Sequence, residues 1–317
     1  MIIKLYKSNT SLGIILPLII AIILCLPLLI NNQTPINYSF DWQTTLFDFI
    51  INSRLLNFVL TFFILILNSI VIVQSFNQTT LFSKTTYLPA IIYLMFLSFS
   101  PEIQFSPILI VHFLFILLIK QILKLNKTES ALHISFKSGL LVGLIGCFSL
   151  YYSVLILVVF IPVILVRSIN LRELAIGSLG LTIPLIYLFS SQYIFSNSII
   201  DLGTIPDITP IQYQLIDYIK ILSMALITIV GFKMVNSFYN HNSLLAKKQV
   251  LILTICSLTA ITLSLVLFFN YNIIDTLFII PFIYIISIGS FSAKNDTFIS
   301  FLLTITLIIN IVSLFFK

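Results

Sequence analysis

The residues best placed for chemistry in this sequence are carboxylates in the polar segments between long apolar stretches. Asp41 and Asp48 lie in the first polar segment, within the run DWQTTLFD, and Glu102 follows Pro101 in the second. A carboxylate can act as a general base toward a hydroxyl group or bind a divalent cation. We therefore take Asp41, Asp48 and Glu102 as candidate catalytic residues, with Asp41 as the first choice for the base.

Further carboxylates occur in a later polar segment, at Asp201, Asp207 and Asp217. Asp217 is three residues from Lys220, a spacing that favours an ion pair on one helix face. The simpler interpretation of all these acids is that they are solvated loop charges, and that Trp42 belongs to an aromatic belt at a membrane surface. Spacing alone does not bring the carboxylates together.

The cysteines and histidines do not form a recognisable metal or redox site. Each of the three cysteines lies inside an apolar block without a second cysteine nearby, and the three histidines are far apart in the sequence. Zinc motifs and phosphate-binding glycine loops need defined short spacings that this chain lacks. We predict no cofactor, and a divalent cation would be required only by a metal-dependent transfer reaction at the carboxylates.

The composition excludes an ordinary soluble domain. Of the 317 residues, 59% are hydrophobic and only 8% are charged, whereas soluble proteins carry about 25% charged residues. Apolar blocks recur at lengths suited to a hydrocarbon core of about 30 Å. We predict an all-α, polytopic bundle that forms one integral membrane domain over residues 1–317. The apolar blocks are 12–30, 55–74, 87–99, 107–123, 138–166, 174–195, 217–235, 249–269, 275–291 and 298–316.

The first block could be confused with a secretion signal, because Lys4 and Lys7 precede it. Its apolar run is longer than a usual cleavable core, and no small-residue cleavage site follows. We expect it to be an uncleaved first transmembrane helix.

The block 138–166 is longer than a single crossing requires, and Tyr151 and Tyr152 interrupt it with semi-polar side chains. One long tilted helix and a hairpin of two short helices are the alternatives. Only the hairpin keeps basic residues on one side, as the positive-inside rule demands. With the hairpin the bundle has ten to eleven membrane segments, its N-terminus in the cytoplasm and its C-terminus outside.

In this orientation, 13 of the 16 basic residues face the cytoplasm and 7 of the 10 acidic residues face outward. The net charge of +6 is then a topology signal, which requires no nucleic-acid partner. We expect membrane lipids as partners, and the sequence identifies no protein partner.

Residues 138–188 contain a characteristic series of features: the segment 139–143, the Tyr151-Tyr152 break, the run 167–173, and Gly180 with Pro184. On these features nearly the whole chain resembles a family of uncharacterised inner-membrane proteins of about this length from Bacteroidota. The resemblance implies a multi-pass protein of a bacterial inner membrane.

Residues 12–190 place Asp41 and Asp48 after the first helix, then the turn Ser100-Pro101-Glu102, then a glycine-rich helix that returns before a cytoplasmic arginine turn. In these features they show a remote resemblance to membrane glycosyltransferases of GT-C type. The resemblance implies transfer of a sugar from a polyprenyl-phosphate-linked donor on the outer face. The alternative is a non-enzymatic scaffold or transporter-like protein of envelope assembly, so enzymatic activity is left open.

Overall fold

The structure, a computed structural model, describes residues 12–30, 41–79, 81, 85–98, 103–125, 131–167, 171–196, 215–241, 243–271, 276–292 and 301–309. Within these ranges the regular elements are all helical and no β-strand is present, which confirms the all-α prediction. Each predicted apolar block contains at least one helix. The helices longer than one turn are α1 (Leu12–Cys25), α2 (Asp41–Asn52), α3 (Arg54–Asn77), α4 (Leu88–Leu97), α5 (Pro107–Ile122), α6 (Leu132–Gly146), α7 (Ile156–Arg167), α8 (Leu171–Ser196), α9 (Leu215–His241), α10 (Leu244–Tyr271), α11 (Ile279–Ser292) and α12 (301–309), and a single helical turn, Pro27–Ile30, follows α1.

Three helices of the described chain are long and apolar enough to cross a membrane. They span Arg54–Asn77, Leu171–Ile194 and Leu244–Val266. At 1.5 Å of rise per residue, a 20-residue helix covers about 30 Å, the thickness of a hydrocarbon core. By length and composition, these three helices are therefore candidate membrane spans.

The centre of the bundle is formed by the short helices α4 and α11. All ten residues of α4 are buried, and the described side chains of α11 are buried as well. A helix that is apolar all round is stable only where other helices cover every face. The apolar block that contains α4, residues 87–99, is shorter than an ordinary crossing requires, and its helix of about 15 Å lies inside the bundle.

Helix α6 packs along α8 through its glycines. A side chain on Gly139 would collide with the backbone of Gly177, and one on Gly143 would come within 2.9 Å of the Pro184 ring. The contacts advance in the same direction on both helices, so α6 and α8 run parallel. Small residues at such an interface let two backbones approach closely in an apolar environment.

The chain reverses direction between α6 and α7, as the hairpin interpretation predicted. A Cβ on Gly146 would lie 2.8 Å from Ser153 Oγ, so the end of α6 meets the first residues that follow it. Gly177 of α8, which adjoins Gly139 of α6, also lies close to α7, because a Cβ on Gly177 would come within 3.2 Å of the Phe160 ring. The residues of α7 thus pass back alongside α6. The reversal contains a 3₁₀ helix, Leu150–Leu155, which includes both tyrosines.

Candidate functional site

Helix α2 carries two of the three candidate carboxylates. Asp41 is its first residue and Asp48 follows seven residues later, which separates their Cα atoms by about 10 Å along the helix axis. Asp48 is exposed, whereas Phe47, Ile50 and Ile51 are buried. The segment therefore has a buried apolar side, and its exposed side carries Asp48 together with Phe49, which is 73% exposed. The Asp41 side chain lies outside the described residues.

The buried side of α2 packs against the segment that follows Glu102. The rings of Phe47 and Phe105 stack with their centroids 5.6 Å apart, and Ile51 and Ile110 complete this small apolar cluster. The first and second predicted outer segments therefore meet. Glu102 itself lies outside the described residues.

Asn57, near the start of α3, holds the same segment in place. Its side-chain carbonyl accepts the Phe105 backbone N–H at 2.9 Å and the Thr61 hydroxyl at 3.0 Å. Both Asn57 and Thr61 are fully buried. A buried amide that accepts a backbone N–H fixes the turn more firmly than apolar packing alone, since breaking the bond leaves a buried donor unpaired.

A chain of buried polar side chains crosses the middle of the bundle. The Asn68 amide on α3 donates to Tyr93 Oη on α4 at 2.9 Å and to the Leu109 carbonyl at 3.2 Å. Tyr93 Oη lies 3.5 Å from His112 Nδ1 on α5, and His112 Nε2 lies 3.1 Å from Thr276 Oγ1. We call these four side chains, Asn68, Tyr93, His112 and Thr276, the polar chain.

The polar chain is inaccessible from outside the protein. Asn68, Tyr93 and His112 are fully buried, and Thr276 is 8% exposed. The Tyr93 and His112 rings meet edge to face, with centroids 6.2 Å apart. Hydrogen bonds between side chains of different helices join α3, α4 and α5 to the segment before α11. These hydrogen bonds stabilise the contacts between the helices in an apolar interior.

The sequence interpretation treated the histidines as isolated and missed this chain. A signal was present on α3, where the polar residues Asn57, Thr61, Asn68 and Ser75 are spaced by four or seven residues. Such spacing places them on one helix face. Ser75 extends the row, because its hydroxyl hydrogen-bonds Tyr284 on α11.

A separate lateral cleft of about 660 Å³ lies between α1, α3 and the start of α4. None of the residues that line it is charged. The lining comprises Pro17, Leu18, Ile66, Ser69, Ile70, Val73, Gln74, Asn77, Gln78, Thr85, Tyr87 and Ala90. We call this the α1–α3–α4 cleft. Its volume falls within the range of about 300–1,000 Å³ that is usual for small-molecule sites.

The described residues contain no group of three or more His, Cys, Asp or Glu side chains that could hold a metal ion. Cys25 and Cys256 are buried and Cys147 is half-buried, each as a free thiol. Asp201, Asp207 and the Asp217 side chain lie outside the described residues. The ion pair predicted between Asp217 and Lys220 involves side chains outside the described residues and stays a prediction.

Comparisons of this chain with protein-family models, curated proteins and solved structures found no match. Function therefore has to be argued from the chain's own residues.

Proposed function

We propose that this chain is a multi-pass protein of a bacterial inner membrane. The observation that carries the proposal is the polarity of α3. Its buried face carries the polar row of Asn57, Thr61, Asn68 and Ser75. Its exposed face carries Leu55, Val59, Phe63 and Ile70, each between 49% and 70% exposed.

In water the reverse arrangement is favoured, with the apolar face of a helix buried and the polar face exposed. In a soluble protein an exposed apolar stripe of that size would be covered by a partner or would aggregate. In lipid the exposed apolar face is solvated at no cost, and the polar groups must find partners inside the protein. The same apolar exteriors occur on α8, at Leu179 and Ile186, and on α10, at Leu258.

We assign the orientation from the basic residues. The hairpin formed by α6 and α7 returns the chain to the side on which α6 begins, and the count of 13 basic residues on one side depends on that return. The N-terminus is accordingly cytoplasmic and the C-terminus periplasmic. Lys124, Lys137 and Lys248 are exposed at or near helix ends that this orientation assigns to the cytoplasm.

On the outer face we propose transfer, or assistance to transfer, of a sugar from a polyprenyl-phosphate-linked donor. The support is the resemblance to GT-C enzymes, together with the Phe47–Phe105 contact that brings the segments bearing Asp48 and Glu102 next to each other. Asp41 would accept the proton of the acceptor hydroxyl. The hydroxyl oxygen bonds to the sugar, the sugar–phosphate bond breaks, and the polyprenyl phosphate leaves. Asp48 or Glu102 would assist, and a metal-dependent version would add a divalent cation.

The test is a deletion strain whose lipid-linked glycans and surface polysaccharides are profiled. Wild type restores any altered glycan, whereas Asp41→Asn and the double variant Asp41→Asn, Asp48→Asn do not, at equal amounts of membrane-inserted protein. Asp217→Asn, which changes an outer carboxylate that the resemblance does not assign, is the matched control and restores the glycan. Glycans that are unchanged by the deletion would remove the proposal.

A non-enzymatic scaffold is the second candidate, and the filled centre of the bundle favours it. Every residue of α4 is buried, and its large side chains Tyr93 and Phe96 are fully covered by the rest of the bundle. A scaffold needs such rigidity and no reacting carboxylate. Rescue of the deletion strain by the double variant Asp41→Asn, Asp48→Asn would therefore select the scaffold over the enzyme. A transporter-like function would need instead a polar route from one side of the bundle to the other, whereas the polar chain is buried between helices.

A further inference from the structure

We infer that the polar chain has a fixed direction, in which each side chain donates a hydrogen bond to the next, from Asn68 to Thr276. In this arrangement Tyr93 donates its hydroxyl to His112 Nδ1, and His112 is a neutral imidazole whose single proton lies on Nε2. The inference concerns the interior of the bundle. It depends neither on the outer carboxylates nor on the orientation of the chain in a membrane.

The direction is set first at Asn68. Its amide nitrogen carries two protons, and both have acceptors, Tyr93 Oη at 2.9 Å and the Leu109 carbonyl at 3.2 Å. A carbonyl can only accept, so Leu109 fixes which side of the amide carries the nitrogen. Tyr93 therefore accepts from Asn68, and its own O–H needs an acceptor elsewhere.

The acceptor for the Tyr93 hydroxyl is His112. Nδ1 of this ring lies 3.5 Å from Tyr93 Oη, and within the described part of the chain no other acceptor lies in hydrogen-bond range of that hydroxyl. The other ring nitrogen, Nε2, lies 3.1 Å from Thr276 Oγ1. Each of these two contacts needs one proton between its two heavy atoms.

His112 has three possible protonation states, which differ in the donor that is left without an acceptor. With the proton on Nε2, Tyr93 donates to Nδ1, Nε2–H donates to Thr276, and the spare donor is the Thr276 hydroxyl. With the proton on Nδ1, Thr276 donates to Nε2 and the spare donor is the Tyr93 hydroxyl. With protons on both nitrogens, both hydroxyls are spare and the ring carries a charge.

Burial distinguishes these states. Tyr93 is fully buried, whereas Thr276 is 8% exposed and precedes the first turn of α11. A spare donor at Tyr93 is thus wholly enclosed, and a buried donor without a partner lowers a population roughly fivefold to a hundredfold. A charged ring is less favourable still, because no carboxylate bonds His112 among the described residues. The Nε2–H state is therefore expected to dominate.

Tyr93 is accordingly a positioning residue for His112. Its hydroxyl occupies the lone pair of Nδ1, which is the atom of an Nε2–H imidazole that could take a proton or bind a metal ion. His112 in turn holds Thr276 through the Nε2–H bond. The polar chain thereby connects the two central helices, since Tyr93 lies on α4 and Thr276 immediately precedes the turn into α11.

The direction also determines how far a proton could move. A proton passes along a hydrogen-bonded chain only where each member can both accept and donate. Tyr93, His112 and Thr276 meet this condition, but Asn68 faces Tyr93 with an N–H and cannot accept from it. A proton that entered at Thr276 would stop at Tyr93. The polar chain therefore holds helices together and does not carry protons across the bundle.

The experiment is nitrogen NMR of the protein with isotope-labelled histidine, in bicelles at neutral pH. The sequence has three histidines, so the signals that remain in the double variant His133→Gln, His241→Gln belong to His112. Couplings to the ring C–H protons distinguish Nδ1 from Nε2 and show which nitrogen is protonated. Tyr93→Phe removes the donor to Nδ1. Tyr284→Phe is the matched control, because Tyr284 is an equally buried tyrosine whose hydroxyl bonds Ser75.

The expected result is a His112 ring protonated on Nε2, in roughly fivefold or greater excess over the Nδ1–H form. Tyr93→Phe should move the Nδ1 signal toward that of a nitrogen that accepts no hydrogen bond, and Tyr284→Phe should leave it in place. A proton on Nδ1, or on both nitrogens, would overturn the inference from the wild-type spectrum alone, even if Tyr93→Phe failed to fold. An identical Nδ1 signal in folded wild type and folded Tyr93→Phe would overturn it as well.

Discussion

Gly139 and Gly177 meet backbone to backbone, so that a single added methyl group on Gly139 would overlap the Gly177 carbonyl. The collision is with main chain, which cannot move aside as a flexible side chain can. We expect Gly139→Ala to force α6 and α8 apart and to lower the free energy of unfolding by about 1–3 kcal/mol. Thermal unfolding in detergent measures this. Leu144→Ala, on the same helix but at a position 37% exposed, is the control and should cost less. Wild-type stability of Gly139→Ala would show that the two helices are not in contact as described.

The proposed orientation predicts which exposed positions react from outside the cell. Ser53, between α2 and α3, and Lys248, near the start of α10, are both exposed. In intact cells a membrane-impermeant maleimide should label Ser53→Cys and should not label Lys248→Cys until the membrane is permeabilised. The reason is that basic residues accumulate on the cytoplasmic side. Labelling of Lys248→Cys in intact cells would reverse the orientation and with it the outer-face function.

The polar chain predicts coupled losses of stability. Tyr93→Phe removes the acceptor of the Asn68 amide, and Asn68→Leu removes its donor. Each is expected to cost about 0.6–2 kcal/mol, the range of interhelical hydrogen bonds in membranes. Because both remove the same bond, the double variant should lose less than the sum of the two.

Unfolding by heat or by SDS in bicelles measures this cycle. Thr262→Val is a suitable control, since its exposed hydroxyl bonds only its own helix, to the Thr259 carbonyl at 2.9 Å. Strictly additive losses would indicate that Asn68 and Tyr93 do not interact.

Asn57 is expected to protect the Phe105 amide from hydrogen exchange. Asn57→Ala deletes the acceptor of that buried N–H and should cost about 1–3 kcal/mol, with faster exchange confined first to residues 103–106. Hydrogen–deuterium exchange followed by mass spectrometry resolves this segment. Thr61→Val removes the other donor to Asn57 but leaves the hydrogen bond from the Phe105 N–H in place. The Phe105 amide should therefore exchange more slowly in Thr61→Val than in Asn57→Ala. Equal exchange in the two variants would contradict the anchoring function of Asn57.

The amino-acid sequence determined where the helices are and where the chain turns back. Apolar length is a local property, so each predicted block contains a helix. The return at Tyr151 and Tyr152 followed from the distribution of basic residues over the whole chain, which the sequence contains without any knowledge of packing. The apolar residues of the segment that carries Asp48 divide between its two sides, because Phe47 and Ile50 are buried whereas Phe49 is 73% exposed.

Only the tertiary structure decided which faces of the helices meet. A helix that is apolar on every side, such as α4, carries almost no periodic signal to say which residues face inward. His112 and Thr276 are 164 residues apart in the chain, and nothing in either local sequence indicates the other. The cleft beside Ser69 depends in the same way on packing among α1, α3 and α4, which no single segment specifies.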